Sequence, residues 1–450
     1  MGRLYINGGK NLHGNINVSG SKNLALCLLF GALLNNKKVT LKNIPNIKDI
    51  NTTLSIFDNV GVDYIRNKNT ITFNSSIPHY QNLIMPMIST FRASYYFIGL
   101  FLGLFKKCVI TYPGGCNFEK RPINYHIDAF KAMGVDIKEE DNILTLKSNI
   151  TKSSRVDVHH SFGASINVLL YASTLSNTTI IENIALEPEV TVFIKFLKVI
   201  GVNIYKLNNS SYSITKGEFN KEIVFNNIYD RIEAGTYSLL SLMNHNSLKI
   251  NHYPLKYLSS LHTIYNLLKV NYKYYKNSIT LSKFDNVNNL YVIADRYPYF
   301  PTDLQPQLTA TLSDFDNVFI IEDRIYTSRF SHVEGLNKLG ANIIQYDNLL
   351  IINNNNTLSK NDNVTTLNSD ITLSTFDNVD IEEKKRSLSN FDNVAIKVVG
   401  KDLRCVASLL MKCLSTKGLF IIEDFDYIFR GYEDIIAKLK NMGADIYYEE

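Results

Sequence analysis

The chain has no Cys-x-x-Cys pair and only five cysteines in 450 residues: Cys27, Cys108, Cys116, Cys405 and Cys413. An odd number without metal-ligand spacing argues against a disulfide framework or a structural zinc site, and no metal is expected. Net charge is small, +5 from 47 basic and 42 acidic residues, and no Lys/Arg run is interleaved with aromatics. That disfavours nucleic acid as a partner. Any functional anion should be a small one, met by individual Arg and Lys side chains. Long apolar runs are missing too. The longest, Leu24–Leu34 and Tyr95–Phe105, have eleven residues each, against about 20 for a bilayer-spanning helix. Gly, Lys and Asn break up the first twenty residues, so no signal peptide is expected. These absences point to a reducing cytoplasm and no membrane. The composition, 45% hydrophobic and 20% charged, allows a large buried core.

What the chain does have is a repeat. An apolar-Gly-apolar pattern recurs at Gly61, Gly134, Gly201, Gly340 and Gly443, and Leu268-Lys269-Val270 is a sixth copy that has lost its glycine. Each copy follows an amphipathic stretch and precedes alternating, strand-like residues, so the glycine reads as a helix C-terminal cap. Upstream lies the start of another apolar helix, at Lys22, Arg92, Ser161, Arg231, Asp303 and Arg404. The separations to the second landmark are 39, 42, 40, 38, 37 and 39 residues. A period so constant predicts six units of about 70 residues, each helix, strand, loop, helix and two strands. The expected architecture is α/β with two lobes of three repeats. One lobe spans 22–229; the other combines 1–21 with 230–450.

From Gly340 to Arg404 is 64 residues, where the equivalent gaps run from 27 to 34. The excess, 353–393, is rich in Asn, Ser, Thr and Asp and reads as a flexible excursion. It holds two copies of Phe-Asp-Asn-Val, at Phe376 and Phe391, and the same tetrapeptide starts at Phe57, Phe284 and Phe315. The plain reading is a duplication tolerated in loops.

Helix N-termini carry partial positive charge and usually favour Asp or Glu. Lys22, Arg92, Arg231 and Arg404 sit at such starts instead, which points to a gathered anionic ligand. The alternative at each is a solvated charge, or one paired with a neighbour such as Asp402 or Asp230. Asp303 breaks the series. It is either an N-cap or a general base facing the cations. Arg430 lies 26 residues beyond Arg404, as Arg329 lies beyond Asp303, and is expected at the second-helix start of the last unit. In the second unit the same connection is Tyr112-Pro113-Gly114-Gly115-Cys116, followed by Lys120 and Arg121. Cationic neighbours favour a thiolate, so Cys116 is a candidate acid, base or nucleophile; an exposed turn with an incidental cysteine is the other reading.

With these residues assembled, the chain resembles the UDP-N-acetylglucosamine 1-carboxyvinyltransferases of the enolpyruvyl transferase family. The resemblance rests on Ser19-Gly20-Ser21-Lys22-Asn23, Phe91-Arg92-Ala93-Ser94, Pro113-Gly114-Gly115-Cys116, Arg121-Pro122 and Glu187-Pro188-Glu189. It continues through Asp230-Arg231-Ile232-Glu233, Phe300-Pro301-Thr302-Asp303, Asp402-Leu403-Arg404 and Arg430-Gly431-Tyr432-Glu433. It implies a two-lobed inverse α/β barrel with three repeats per lobe, a mobile lid loop at Cys116 and no cofactor. It also implies transfer of the enolpyruvyl group of phosphoenolpyruvate to the 3′-hydroxyl of UDP-N-acetylglucosamine in peptidoglycan synthesis.

By that resemblance Lys22, Arg121 and Arg430 hold phosphoenolpyruvate, Cys116 donates a proton to its methylene carbon and Asp303 accepts the sugar proton. Asn23, Arg92, Arg121, Pro122, Ile123, Asn124, Tyr125, His159, His160, Ser161, Phe162, Asp303 and Ile325 map to nucleotide-sugar contacts. Arg231 and Arg404 complete the substrate set. The chain departs from the family at His159 (a lysine expected), Asn124 (an aspartate), Leu186 (a basic residue) and Phe429 (an aspartate). A 3-phosphoshikimate 1-carboxyvinyltransferase lacks the Pro-Gly-Gly-Cys loop, and a non-catalytic repeat scaffold leaves these residues without a role.

Overall fold

The structure is a computed structural model. It describes residues 2–74, 77–90, 92–112, 123–149, 153–243, 246–282, 289–327, 329–353 and 395–450, with backbone alone at 363–365 and 370–372. Six repeats follow one plan. An interior helix leads to a strand, a second helix and, in the first five, a hairpin. In the sixth the hairpin's second strand is supplied by the N-terminal Arg3–Gly8, and most of the sheets gain a parallel strand from another segment.

In the first repeat these are helix Lys22–Ala32, strand Val39–Lys42, helix Lys48–Asn59 and strands Tyr64–Asn67 and Thr70–Phe73. Its sheet closes with Ile223–Asn226, parallel to Val39–Lys42. The chain thus returns to its first repeat after finishing its third. In the same way His13–Asn17 runs parallel to Ser247–Asn251 in the fourth repeat. In the sixth, Arg3–Gly8 lies between Gly418–Glu423 and Asp445–Glu449, with Leu4 opposite Ile422 and Tyr448. Two compact units result, Ser19–Ile228 and Met1–Val18 with Tyr229–Glu450.

The interior helices are buried on all sides, and each unit has its own apolar core. Their starts are fixed by side-chain caps. Ser21 accepts from the Leu24 amide, Ser161 from Ala164, Asp230 from Ile232 and Glu233, and Asp402 from Arg404 and Cys405. Second helices end in left-handed residues: Gly61, Gly134, Gly201, Gly340 and Gly443 have φ between 72° and 112°. Lys269, where the glycine is lost, keeps φ at 54°.

Three expectations are corrected. The 353–393 segment is not wholly an excursion, because strands Asn363–Thr365 and Asp370–Thr372 extend the fifth-repeat sheet beside Leu290. Arg430 does not start a helix; it ends the 3-10 turn Phe425–Arg430, and the second helix of that repeat begins at Ile435. The Phe57 copy of the tetrapeptide ends a helix rather than lying in a loop, with Val60 as its C-cap. The copies at Phe284, Phe376 and Phe391 lie outside the described residues.

Candidate active site

In the unit containing the fourth to sixth repeats, the expected residues converge on Asp303. It sits in the short turn Thr302–Leu304 that leads into the helix Gln305–Leu312, and its carboxylate caps nothing. Instead Arg329 Nη1 donates to Oδ1 at 2.8 Å and Arg404 Nη2 to Oδ2 at 2.9 Å. The Asp303 side chain is 28% exposed, and those of Arg329 and Arg404 are 6% and 7% exposed. Burial alone would raise the carboxyl pKa, but the two guanidinium groups outweigh it and hold Asp303 well below the usual range. In return the carboxylate raises the pKa of both arginines. Asp303 is therefore an ionised acceptor at neutral pH, with an arginine on each oxygen.

The neighbouring carboxylates cap helices and also lend charge to the arginines, Asp230 to Arg404 and Asp402 to Arg329. Asp402 accepts from the Arg404 and Cys405 amides and from Ser331 Oγ at 2.7 Å, and Asp230 caps its own helix. Arg231 is buried, with its guanidinium 5.9 Å from the Tyr297 ring. Asp323 was missed by sequence reasoning. It is fully buried and accepts from the Ile325 and Tyr326 amides and from Thr302 Oγ1 at 2.6 Å. It thereby pins Ile325 and the residue before Asp303. Burial pushes its pKa up despite those donors. Arg329 was also missed as a site residue, though its 26-residue offset from Asp303 was visible. Arg430 is half-buried.

In the Ser19–Ile228 unit the expected residues form three local groups. Lys22 Nζ meets Asp49 Oδ2 at 2.6 Å, both largely buried. Asp49 is the second residue of the second helix, a position where the third repeat carries the buried Glu189. That correspondence was the available signal for it. Asn23 follows Lys22 on the same helix, and its carbonyl accepts from Cys27 Sγ.

Arg92 lies over the Tyr95 ring at 5.4 Å, and Tyr95 packs edge-on against His126. Asn167 Nδ2 donates to the Tyr95 carbonyl and faces His126 Nδ1 at 3.1 Å. Burial, aided by Arg92, lowers the His126 pKa to about 3, so the ring is neutral. Ile123, Asn124 and Tyr125 open the helix that carries it.

Tyr125 packs against His159 with ring centroids 4.8 Å apart and the planes tilted by 38°. Both His159 and His160 have φ at 52°, and Asp157 accepts from the His159 amide at 2.7 Å. Ser161 then caps the helix that begins at Phe162. Cys116, Arg121 and Pro122 lie outside the described residues. The other four thiols are buried and free. Burial raises all four, Cys405 to about 11 and the rest further, so they stay protonated. Among the described residues no cluster of His, Cys, Asp and Glu could hold a metal. Nor is any helix among them long and apolar enough to cross a membrane.

The sequence profile of the EPSP synthase (3-phosphoshikimate 1-carboxyvinyltransferase) family matches residues 6–439. A UDP-N-acetylglucosamine 1-carboxyvinyltransferase of Chloroherpeton thalassium is 31% identical over 451 residues, 99% of this chain and 97% of that protein. UDP-N-acetylglucosamine 1-carboxyvinyltransferase 2 of Staphylococcus aureus is 32% identical over 454 residues, 99% and 98% of the two chains. Among solved structures, the enolpyruvyl transferase NikO from Streptomyces tendae aligns with a TM-score of 0.83 at 19% identity, over 99% of this chain and 98% of that one. EPSP synthase from Acinetobacter baumannii aligns over the whole of both chains with a TM-score of 0.70 at 14% identity. The last two establish the fold, the inverse α/β barrel of six repeats. Profile, relatives and fold agree, and the chain belongs to the family of the enolpyruvyl (carboxyvinyl) transferases and is itself a transferase.

Proposed function

We propose that the chain transfers the enolpyruvyl group of phosphoenolpyruvate to the 3′-hydroxyl of UDP-N-acetylglucosamine, releasing phosphate, as the first committed step of peptidoglycan synthesis in the cytoplasm. The acceptor is that of the relatives matching the whole chain, and the Pro-Gly-Gly-Cys sequence ending at Cys116 supports it over shikimate 3-phosphate. The observation that carries the chemistry is Asp303. Its carboxylate is ionised, partly exposed and held in place through both oxygens. Each oxygen keeps a lone pair with which to take a hydroxyl proton.

In the first step the sugar oxygen bonds to C2 of phosphoenolpyruvate, its proton passes to Asp303, and Cys116 delivers a proton to the methylene carbon. The resulting tetrahedral adduct then returns a proton from its methyl carbon to the Cys116 thiolate as the C2–phosphate oxygen bond breaks, and the proton held by Asp303 leaves with the phosphate, restoring the double bond and both residues. Lys22, Arg121 and Arg430 supply positive charge to the donor's phosphate and carboxylate, where planar guanidinium groups bind in a fork. Lys22 brings its own counter-charge in Asp49, which fixes its direction.

The test uses purified protein with phosphoenolpyruvate and measures phosphate release. Release should require UDP-N-acetylglucosamine; turnover with shikimate 3-phosphate in its place overturns the proposal. Asp303→Asn should lower kcat by about 10²–10⁴-fold, the range expected for loss of a proton acceptor. Rapid alkylation should fall on Cys116, at a rate changed by the nucleotide sugar.

A further inference from the structure

Two residues beyond Arg430, Tyr432 is 2% exposed, and three of the repeat helices present polar groups to it. Its hydroxyl lies 2.7 Å from Thr236 Oγ1, 3.2 Å from Gln307 Nε2 and 3.5 Å from Arg404 Nη1. The Arg404 guanidinium also stands over the Tyr432 ring, 6.0 Å from its centroid.

Proton accounting orders these contacts. A phenol has one proton to give and two lone pairs to offer. Gln307 Nε2 and Arg404 Nη1 donate to the phenol oxygen and take both lone pairs, so the phenol proton goes to Thr236. Thr236 in turn gives its proton to the Ile232 carbonyl at 2.9 Å and accepts from Gln307 at 3.2 Å. Every hydrogen-bonding position of the phenol is then used. Thr236 and Gln307 remain bonded to each other if the phenol oxygen is removed, whereas Arg404 loses an acceptor.

We propose that Tyr432 is a positioning residue whose hydroxyl ties Arg404 to Thr236 and Gln307 and so sets the guanidinium that grips Asp303. Because Tyr432 follows Arg430 by two residues, the same anchor fixes the segment carrying the second arginine. The catalytic consequence rests on the transferase reading above; the anchoring does not.

Tyr432→Phe keeps the ring, which lines an apolar hollow with Leu240, Leu410 and Met411. With a long hydrogen bond to a charged group lost, the KM for phosphoenolpyruvate should rise about fivefold to tenfold, with a smaller fall in kcat. Asp303 would lose part of the cation that keeps it ionised, so the acid limb of kcat/KM should move to higher pH. Ser238→Ala is the control. Ser238 Oγ bonds the buried Tyr265 hydroxyl at 2.6 Å, on the same helix as Thr236 but away from Arg404. It should lower the melting temperature by a similar amount and leave the limb in place.

A Tyr432→Phe enzyme with wild-type KM and acid limb, or a Ser238→Ala enzyme that shifts the limb equally, overturns the proposal. A crystal structure of Tyr432→Phe judges the anchoring without turnover. The Arg404–Asp303 contact should be lost, and its persistence at 2.9 Å refutes the anchor. Absence of turnover in the wild-type protein refutes the transferase reading alone.

Discussion

In the Ser19–Ile228 unit the first two interior helices bury almost only apolar side chains, and the third, Phe162–Ala172, adds the polar Ser165 and Asn167. Lys22–Ala32 buries Leu24 to Ala32, and Tyr96–Phe105 interlocks Phe97 with Phe30, Phe57 and Phe101. In the other unit the equivalent helices bury Arg231, Glu233, Thr236 and Ser238, then Gln305, Gln307, Thr309 and Thr311, then Arg404, Ser408 and Lys412. One fold is thus built around two kinds of core. The hydroxyls of the polar core are satisfied locally: Thr309, Thr311 and Ser408 each bond a carbonyl three or four residues back. The charges are satisfied across the unit, Glu233 by Lys438 at 2.7 Å and Asp303 by its two arginines. Gln305 Oε1 and Gln307 Oε1, however, meet no donor among the described residues. An apolar core would serve the fold better, since buried polar groups contribute little net stability even when paired. Of the polar unit's buried groups, Arg329 and Arg404 hold Asp303 directly, while Lys412 pairs with Asp314.

The sharpest way to break this contrast is to cut each core by one side chain. Phe97→Ala removes a fully buried ring with aromatic neighbours on several sides. It should cost about 3–5 kcal/mol. Gln307→Met keeps the volume of a fully buried side chain; it removes an oxygen without a partner among the described residues but also the donations to Thr236 and Tyr432, so the loss should be about 1–2 kcal/mol. Urea denaturation of the two variants decides the matter. Equal losses would mean that the polar core is as tightly cooperative as the apolar one.

Acid separates the units more finely. His126 and His332 are both buried and both lowered to about 3, first by burial. His126 has Asn167 beside it, whereas neither ring nitrogen of His332 meets a partner among the described residues. Their ordinary pKa is about 6.5, so below that pH the unfolded chain takes up a proton that the folded chain refuses. Stability should therefore fall as pH drops from 6.5 towards 3, by about 1.4 kcal/mol per pH unit for each ring. Asp303 works lower down. Its depressed value stabilises the fold above about pH 4 and is lost only as pH falls through the folded value. His332→Leu should remove one proton's worth of slope between pH 6.5 and 5 without loss of stability at pH 7. An unchanged slope in urea midpoints across that range would sink the assignment.

Some local features of this architecture were readable from sequence, and long-range ones were not. Left-handed residues act within a few positions, so the five glycines announced the ends of their helices, whereas the N-caps Ser21, Asp230 and Asp402 emerge only from the structure. The partnership of Asp303 with Arg404 spans 101 positions and has no period, and the pairing of Lys22 with Asp49 crosses two elements. Residue types nominated Asp303 and Arg404 separately, but only the packed interior shows that they hold each other. Arg430 was misplaced because its repeat offset is constant while the element there changes from helix to 3-10 turn. The strands at 363–372 escaped notice because polar composition hides short edge pairing.

The smallest expected effect tests the repeat itself. Five copies end their second helix in a glycine with φ between 72° and 112°, and the sixth places Lys269 at 54°. A side chain in the left-handed region is strained, and glycine relieves that strain while gaining freedom in the unfolded chain. Lys269→Gly should accordingly stabilise the protein by about 0.5 kcal/mol, the difference between those opposing effects. The reverse change in the other unit has no such balance. At Gly201 a Cβ would stand 2.1 Å from the Glu218 carbonyl oxygen, so Gly201→Ala adds a backbone clash to the strain and should destabilise clearly. If Lys269→Gly proved as destabilising as Gly201→Ala in matched urea titrations, the Lys269 side chain would have to contribute contacts of its own, and the sixth turn would no longer be a repeat that merely lost its glycine.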